Sequence, residues 1–199
     1  SFGNYDMSSS TSTTNPPITD TSATGGHSMP YNSDTRAGIK INSGSALEGV
    51  EITGAKFQLY KGAGSPDGNL YYRVYDVATD TLKHEFGSIP ASNLSAPTQS
   101  SCGVCGTMVG VTGGSPYTLV AGDALVVETD MTNFSNWANY IGFDQANNNP
   151  YDSTNTHWIH YSSSGFVEET GHDMPFWVEV SSSSHIDKTF TSSTPYTLT

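Results

Sequence analysis

The two cysteines of this 199-residue chain, Cys102 and Cys105, stand in the tetrapeptide Cys-Gly-Val-Cys. A four-cysteine zinc site needs a second such pair, which the sequence lacks. A thioredoxin-like redox site needs a strand–helix setting that lowers a thiol pKa, and no such setting is evident. Because the ends of a β-turn lie within about 7 Å, a disulfide can close across one. The sequence therefore predicts a disulfide between the two cysteines.

A second group of chemically capable side chains crowds one polar loop after a strand-like segment. Carboxylate and amide oxygens at close spacing are the ligands that calcium takes, although this spacing does not match an EF-hand. The alternative is a turn, because Asn and Asp bond their own backbone and tolerate left-handed conformations. The candidate calcium ligands are Asp144, Asn147, Asn148 and Asp152, with Asn149 between them.

Catalytic patterns are weak in this sequence. It contains no Gly-x-Ser-x-Gly elbow and no metalloprotease helix. Glu168 and Glu169 are adjacent and would point to opposite faces of a strand, which makes them a poor pair for glycoside hydrolysis. His157 and His160 would also face opposite sides and would not share a metal. We expect no enzyme and no catalytic residue.

The sequence offers two kinds of carbohydrate site: an aromatic ring that could bind a sugar, and asparagines that could carry a glycan. Flat apolar rings can stack on sugars. Trp158 and Trp177 lie within strand-like runs, so we expect both in the core. Trp137 lies in a polar loop and is therefore the candidate aromatic ligand residue. Asn93 and Asn133 each begin an Asn-x-Ser sequence in a predicted loop, so both are candidate glycosylation sites.

Composition excludes some partners and indicates an environment. Seven Lys and Arg stand against 19 Asp and Glu, giving a net charge of −12, which opposes binding to nucleic acid or an anionic membrane. Ser and Thr number 52, whereas charged residues are only 13%, about half the usual share. No apolar run approaches the roughly 18 residues of a membrane span. We expect a secreted or cell-surface protein whose signal segment has been removed.

The order of short alternating segments indicates an all-β chain with turns between about ten strands and a bulge at Gly54. No stretch sustains a helical period. We expect three parts: a Ser/Thr-rich N-terminal tail over residues 1–33, a β-sandwich over 34–180, and a linker with a C-terminal β-strand tail over 181–199.

The strand and turn patterns carry a resemblance. They are the segments 38–41, 47–52, 56–61, 64–71, 117–126 and 139–142. Their order resembles the jelly-roll β-sandwich modules of secreted archaeal and bacterial surface proteins, which are similar in shape to carbohydrate-binding modules. The resemblance covers residues 34–180 and implies a jelly-roll-like antiparallel sandwich in an extracellular assembly. It implies no catalytic residue.

The functional expectation is a structural subunit of an extracellular, pilus-like filament or surface layer, a homopolymer joined by donor-strand complementation. Ser/Thr-rich segments do not become ordered on their own. A sandwich edge with few charged side chains to block pairing can accept a strand from another chain. The alternatives are a glycan- or surface-binding module and a viral coat or appendage subunit. The expected strand anchors are Phe2, Tyr5, Met7, Phe190, Tyr196 and Leu198.

Overall fold

Two antiparallel β-sheets form the protein, which confirms the predicted all-β class and sandwich arrangement. A computed structural model describes residues 15–29, 34–97, 104–135 and 138–182. The described part contains fourteen strands and a single turn of 3-10 helix, Ala91–Asn93.

The first sheet is built around β4, its longest strand. Strands β14 and β10 follow each other along one side of β4, and β7 and β8 follow each other along the other side. The strands of this sheet are β1 Ile18–Asp20, β2 Gly25–Met29, β4 Glu51–Lys61, β7 Thr107–Val111, β8 Tyr117–Thr118, β10 Ile141–Asn147, β13 His172–Asp173 and β14 Phe176–Val180.

The second sheet has a simple linear order, β12-β11-β3-β9-β5-β6. Every neighbouring pair in it is antiparallel. Its strands are β3 Arg36–Ile41, β5 Asn69–Asp76, β6 Thr81–Pro90, β9 Asp123–Thr129, β11 Thr156–Ser162 and β12 Gly165–Glu169.

The core lies between the sheets because alternate residues of each strand point inward. Phe57 and Leu59 of β4 and Tyr72 of β5 are fully buried. The rings of Phe57 and Tyr72 stack across the two sheets at 6.2 Å, and the Tyr72 hydroxyl donates to the Val109 carbonyl at 2.7 Å. Burying each such side chain stabilises the fold by about 1.5–3 kcal/mol.

The predicted bulge at Gly54 is confirmed by the register of β4 and β14. Glu179 pairs with Gly54, but the next residue, Val180, pairs with Ile52. A β-carbon at Gly54 would stand 2.3 Å from the Val111 carbonyl oxygen. The position therefore requires glycine, since another strand passes too close for any side chain.

The sheet includes part of the predicted N-terminal tail. Strand β1 pairs with β14 and strand β2 pairs with β10, both within the same chain. Met29, at the end of β2, is fully buried in the core. The sandwich thus begins before residue 34, because these residues supply its edge.

Several predicted positions lie outside the described residues. They are the strand anchors Phe2, Tyr5, Met7, Phe190, Tyr196 and Leu198, together with Cys102 and Trp137. The disulfide, the anchors and the Trp137 ligand site stay predictions.

Candidate functional sites at the interrupted sheet edge

Strands β1 and β2 follow one another along the edge of the first sheet, with a short gap between them. Residues 18–20 run along β14 and residues 25–29 run along β10, both in the direction of β4. Residues 21–24, here called the edge gap, lie between these two strands and belong to neither. Asp20 pairs with Phe176 at the start of β14, and Gly25 pairs with Gln145 near the end of β10. The edge gap therefore lies where two neighbouring strands begin and end.

Three aspartates from separate segments interact electrostatically, namely Asp20, which borders this gap, Asp152 and Asp173, here called the carboxylate cluster. Asp20 ends β1, Asp173 ends β13, and Asp152 lies in the loop between β10 and β11. The ring of Tyr151 packs on Phe176 at 5.0 Å, and Phe176 is the pairing partner of Asp20. Asp20 and Asp173 are only 7% and 3% exposed.

Each carboxylate of the cluster has one satisfied oxygen and one that is not. The second oxygens, Oδ2 of Asp20, Oδ1 of Asp152 and Oδ1 of Asp173, are buried without a hydrogen-bond partner. Among the described residues, no Lys, Arg or His forms an ion pair with any of the three. Backbone N–H groups hold the first oxygens, from Ser22 to Asp20 (2.9 Å), from Ala46 to Asp152 (3.0 Å) and from Tyr151 to Asp173 (2.8 Å).

The three negative charges are electrostatically coupled. Burial raises the pKa of the Asp173 carboxyl to about 6, and the charges of Asp20 and Asp152 act in the same direction. The pKa of the Tyr151 hydroxyl is also raised, first by burial and then by Asp152 and Asp20. The cluster is thus a concentration of negative charge in a place with little water.

Of the predicted calcium ligands, only Asp152 belongs to this cluster. Asp144 lies within β10, where its carboxylate accepts the N–H groups of Cys105 at 3.1 Å and Gly106 at 2.8 Å. Asn147 and Asn148 are exposed, and Asn148 takes a positive φ of 70°. This is the turn chemistry that the sequence offered as the alternative. Sequence reasoning missed Asp20 and Asp173, since only the topology brings them to the loop.

A second cluster of titratable groups surrounds the ring of Trp158. Asp34, 2% exposed, has its Oδ2 atom 3.1 Å from Nδ1 of His160 and 4.0 Å from Nε2 of His27. Nε2 of His160 lies 3.3 Å from Oε1 of Glu169. Burial lowers the pKa of His27, although Asp34 acts in the opposite direction. In the described part of the chain, no three His, Cys, Asp or Glu side chains are arranged as they stand to hold a metal ion.

The predicted separation of His157 from His160 agrees with their contacts. Nε2 of His157 lies 3.0 Å from Oε2 of Glu168, whereas His160 contacts Glu169 and Asp34. Each histidine thus contacts a different glutamate of the adjacent pair: His157 contacts Glu168, and His160 contacts Glu169.

A surface pocket of about 470 Å³, here called the edge pocket, lies where both ends of the described chain meet. The Asn15 side-chain amide donates to the Ser181 carbonyl at 2.7 Å. Trp177 lines this pocket, so the prediction that it lies in the core is wrong. Its neighbours in β14, Phe176 and Val178, take the inward positions, and the alternation of the strand turns Trp177 outward. Trp158 is 5% exposed and packs in the core as predicted.

The two candidate glycosylation sites are both on the surface. Asn93 is exposed at the end of the 3-10 helix. Asn133 is exposed in the loop after β9, where its side-chain amide donates to the Ser65 carbonyl at 3.0 Å. Both asparagines lie on the surface, and their glycosylation stays a prediction.

No family model matches the chain, and no similar protein was found among curated proteins or solved structures. The resemblance to jelly-roll surface modules stays an expectation drawn from strand and turn patterns. Among the described residues, no helix has the length and apolar character needed to cross a membrane.

Proposed function

We propose that the protein is an extracellular β-sandwich subunit that assembles with copies of itself by strand addition at the edge held by β1. The observation that carries this proposal is the nature of that edge. β1 has three residues, contains no Lys or Arg, and is the outermost strand beside β14. Only three residue pairs hold β1 beside β14, so the same pairing can be made by a strand of another copy of the chain.

The path of the chain supports the same edge. Asn15 and Ser182 bound the described domain and both line the edge pocket. The chain continues for 14 residues before Asn15 and for 17 residues after Ser182. Fourteen extended residues span about 46–50 Å, more than the roughly 40 Å diameter of a compact domain of this size. Either segment is therefore long enough to reach an adjoining subunit from this edge.

The contacts of β1 are of a kind that a second copy can reproduce. Ile18 packs against the core, and the Thr19 hydroxyl donates to the Phe176 carbonyl at 2.9 Å. When identical chains exchange a strand, each contact is remade with the partner, so the exchange has a low net cost. Head-to-tail exchange of this type produces filaments if it does not close into a ring.

Assembly of truncated chains tests the proposal. The full chain should form oligomers or filaments, seen by sedimentation and electron microscopy. Chains lacking residues 1–14, residues 183–199 or both should show that at least one tail is needed, while the folded domain remains. Normal assembly of all three truncated chains would contradict strand donation, and so would a full chain that stays monomeric at high concentration.

A point variant adds a matched control. Ile18→Lys should weaken assembly, because the exchanged strand would lose the apolar residue that packs against the core of the other subunit. Val120→Lys changes a side chain that is 43% exposed, in the turn before β9, and should leave assembly unchanged. Equal behaviour of the two variants would argue against the β1 edge as the interface.

Glycan binding is a second candidate, favoured by the half-exposed ring of Trp177 in the edge pocket. Thr53 and Glu179 line the same pocket and offer polar groups beside the ring. One face of the ring is covered by the Lys56 ammonium, 4.4 Å from its centroid. Glycan-array binding by a full chain that stays monomeric, and its loss in Trp177→Ala, would support this function over the first.

A further inference from the structure

We propose that His27, Asp34 and His160 form an acid-sensitive latch, which holds β2 on the sandwich at neutral pH and releases it in mild acid. These three residues are here called the histidine latch. The inference does not depend on the proposed assembly, since β2 would open in the same way in a monomer. It concerns the part of the sheet edge that follows β1 along the chain.

The ring of His27 contacts both sheets. His27 belongs to β2 and pairs with Phe143 of β10 in the first sheet. The centroid of its ring lies 5.5 Å from that of Phe143 and 5.4 Å from that of Trp158. Trp158 belongs to β11 of the second sheet and packs in the core. His27 therefore connects an edge strand of one sheet to a core residue of the other.

One buried carboxylate faces two imidazoles at this place. Oδ2 of Asp34 lies 3.1 Å from Nδ1 of His160 and 4.0 Å from Nε2 of His27, and Asp34 is only 2% exposed. Nε2 of His160 lies 3.3 Å from Oε1 of Glu169, a second carboxylate. Because attraction between charges falls with distance, these acids compensate a proton on His160 better than one on His27.

The titratable groups around the latch come from four segments. Asp34 precedes β3, His160 lies in β11 and Glu169 ends β12, while His172 of β13 packs its ring on the same indole, 6.0 Å away. Asp34 and Glu169 favour a proton on His27, whereas His160 opposes it. Burial is the largest influence, and the net result is a lowered pKa of the His27 imidazole.

Proton uptake by His27 is thereby coupled to the opening of β2. In the closed state the half-buried imidazole resists protonation. When β2 leaves β10, the imidazole enters water and regains its ordinary pKa of about 6.5. Below that pH the open state binds more protons than the closed state, so the open population rises, by at most about tenfold for each pH unit.

β2 can open without the rest of the sandwich. It lies at the sheet edge, and among the described strands it pairs with β10 alone. Its first two residues are Gly25 and Gly26, which add no side chain to the packing and weaken a strand. Met29, at its other end, is fully buried. We therefore expect opening to begin at Gly25 and to leave inner strands such as β9 in place.

Native-state hydrogen exchange of the full chain, at about pH 7.5 and about pH 5, tests the latch. Each rate is first corrected for the intrinsic exchange rate at that pH. The amides of residues 25–29 should then exchange several-fold faster in acid, while those of β9 keep their protection. Unchanged protection of residues 25–29 would overturn the proposal. An equal loss of protection in β9 would also overturn it, because acid would then unfold the whole sandwich.

Histidine variants separate the latch from a general effect of acid. His27→Gln should remove the acid-induced exchange of β2, and His160→Gln should reduce it, because His160 opposes a proton on His27. His84→Gln is the matched control and should keep the full response. His84 also lies in an edge strand, β6, but its ring stacks on Tyr117 at 5.2 Å, outside the latch.

The acid response is the ratio of corrected rates at the two pH values within one variant. A variant whose β2 is weaker at neutral pH therefore still gives an answer. A response that persists in His27→Gln or stays undiminished in His160→Gln would overturn the assignment. Loss of the response in His84→Gln would overturn it as well.

Discussion

At the scale of the residue, basic side chains are scarce and most are already engaged. Of the six Lys and Arg that the structure describes, four form ion pairs with acids: Arg36, Lys40, Arg73 and Lys83. Glu128 alone accepts from Arg36 at 3.1 Å, from Arg73 at 2.8 Å and from the Tyr75 hydroxyl at 2.6 Å. These four cations lie in the second sheet, and among the described residues neither they nor Lys56 and Lys61 of β4 form an ion pair with the carboxylate cluster.

His27 predicts a pH dependence of stability. Burial lowers its pKa below 6.5 in the folded state, so the unfolded chain binds more protons in mild acid. The free energy of unfolding should therefore fall as the pH drops below 6.5. The groups facing His27 are Asp34 and Glu169, which raise its pKa, and His160, which lowers it.

The variant His27→Gln isolates this contribution. Urea unfolding from pH 7.5 to 5 should show a shallower pH dependence in the variant than in the unaltered chain. The slopes should differ by less than about 1.4 kcal/mol per pH unit, the limit for one proton, because His27 is partly exposed. Parallel slopes would show that His27 titrates alike in the folded and unfolded chains.

The cysteines carry a second prediction at this scale. The intact mass without reductant should lie about 2 Da below that of the dithiol, because forming the Cys102–Cys105 bond removes two hydrogens. The bond closes a short loop and should contribute only about 1–3 kcal/mol to stability. Rapid thiol labelling of the native protein, or stoichiometric zinc, would contradict it.

At the scale of the element, the close approach of β3 to β9 predicts a sharp glycine requirement. A β-carbon on Gly38 would stand 2.0 Å from the Leu125 carbonyl oxygen and 2.6 Å from Cα of Val126. Both contacts are with backbone in the middle of the second sheet, so no side chain can move aside. Gly38→Ala should lower the free energy of unfolding by about 3 kcal/mol or more, or prevent folding.

Gly25→Ala is the matched control for this prediction. Gly25 also lies in a strand, β2, but a β-carbon there would meet nothing within 4 Å. Its stability change should stay within roughly 1 kcal/mol. Similar urea midpoints for the two variants would mean that β3 and β9 can separate more easily than their contact suggests.

At the scale of the whole molecule, the outer face of the second sheet is covered by the chain's own side chains, whereas the first sheet has a short edge strand. On the second sheet, the Arg36 guanidinium lies 3.9 Å from the ring centroid of Tyr75 and 4.1 Å from that of Tyr161. These groups lie on the face that carries the small cluster of Val126 and Ile159, so the chain covers its own apolar residues there. The first sheet instead ends in the short strand β1, which is where a partner is proposed to join.

Much of the fold was predictable because strand alternation is local. The pattern of Phe57 and Leu59, the aromatic run around Tyr72 and the break at Gly54 each depend on residues within a few positions, and each was confirmed. Trp177 shows the limit of this reasoning. A strand-like pattern shows that successive side chains point to opposite faces of the sheet. It does not show which of the two faces packs against the opposing sheet.

The sequence by itself determined the fold class of the protein, because its alternation and turns require strands. Only the tertiary structure decided the edge and the carboxylate cluster. Gly25 to Met29 carries no β-branched residue and becomes a strand because β10 offers it backbone partners. Asp20, Asp152 and Asp173 lie far apart in sequence, and it is the fold that brings their charges close enough to interact. Pairing between distant segments is set by burial and register across the whole fold, which no local pattern records.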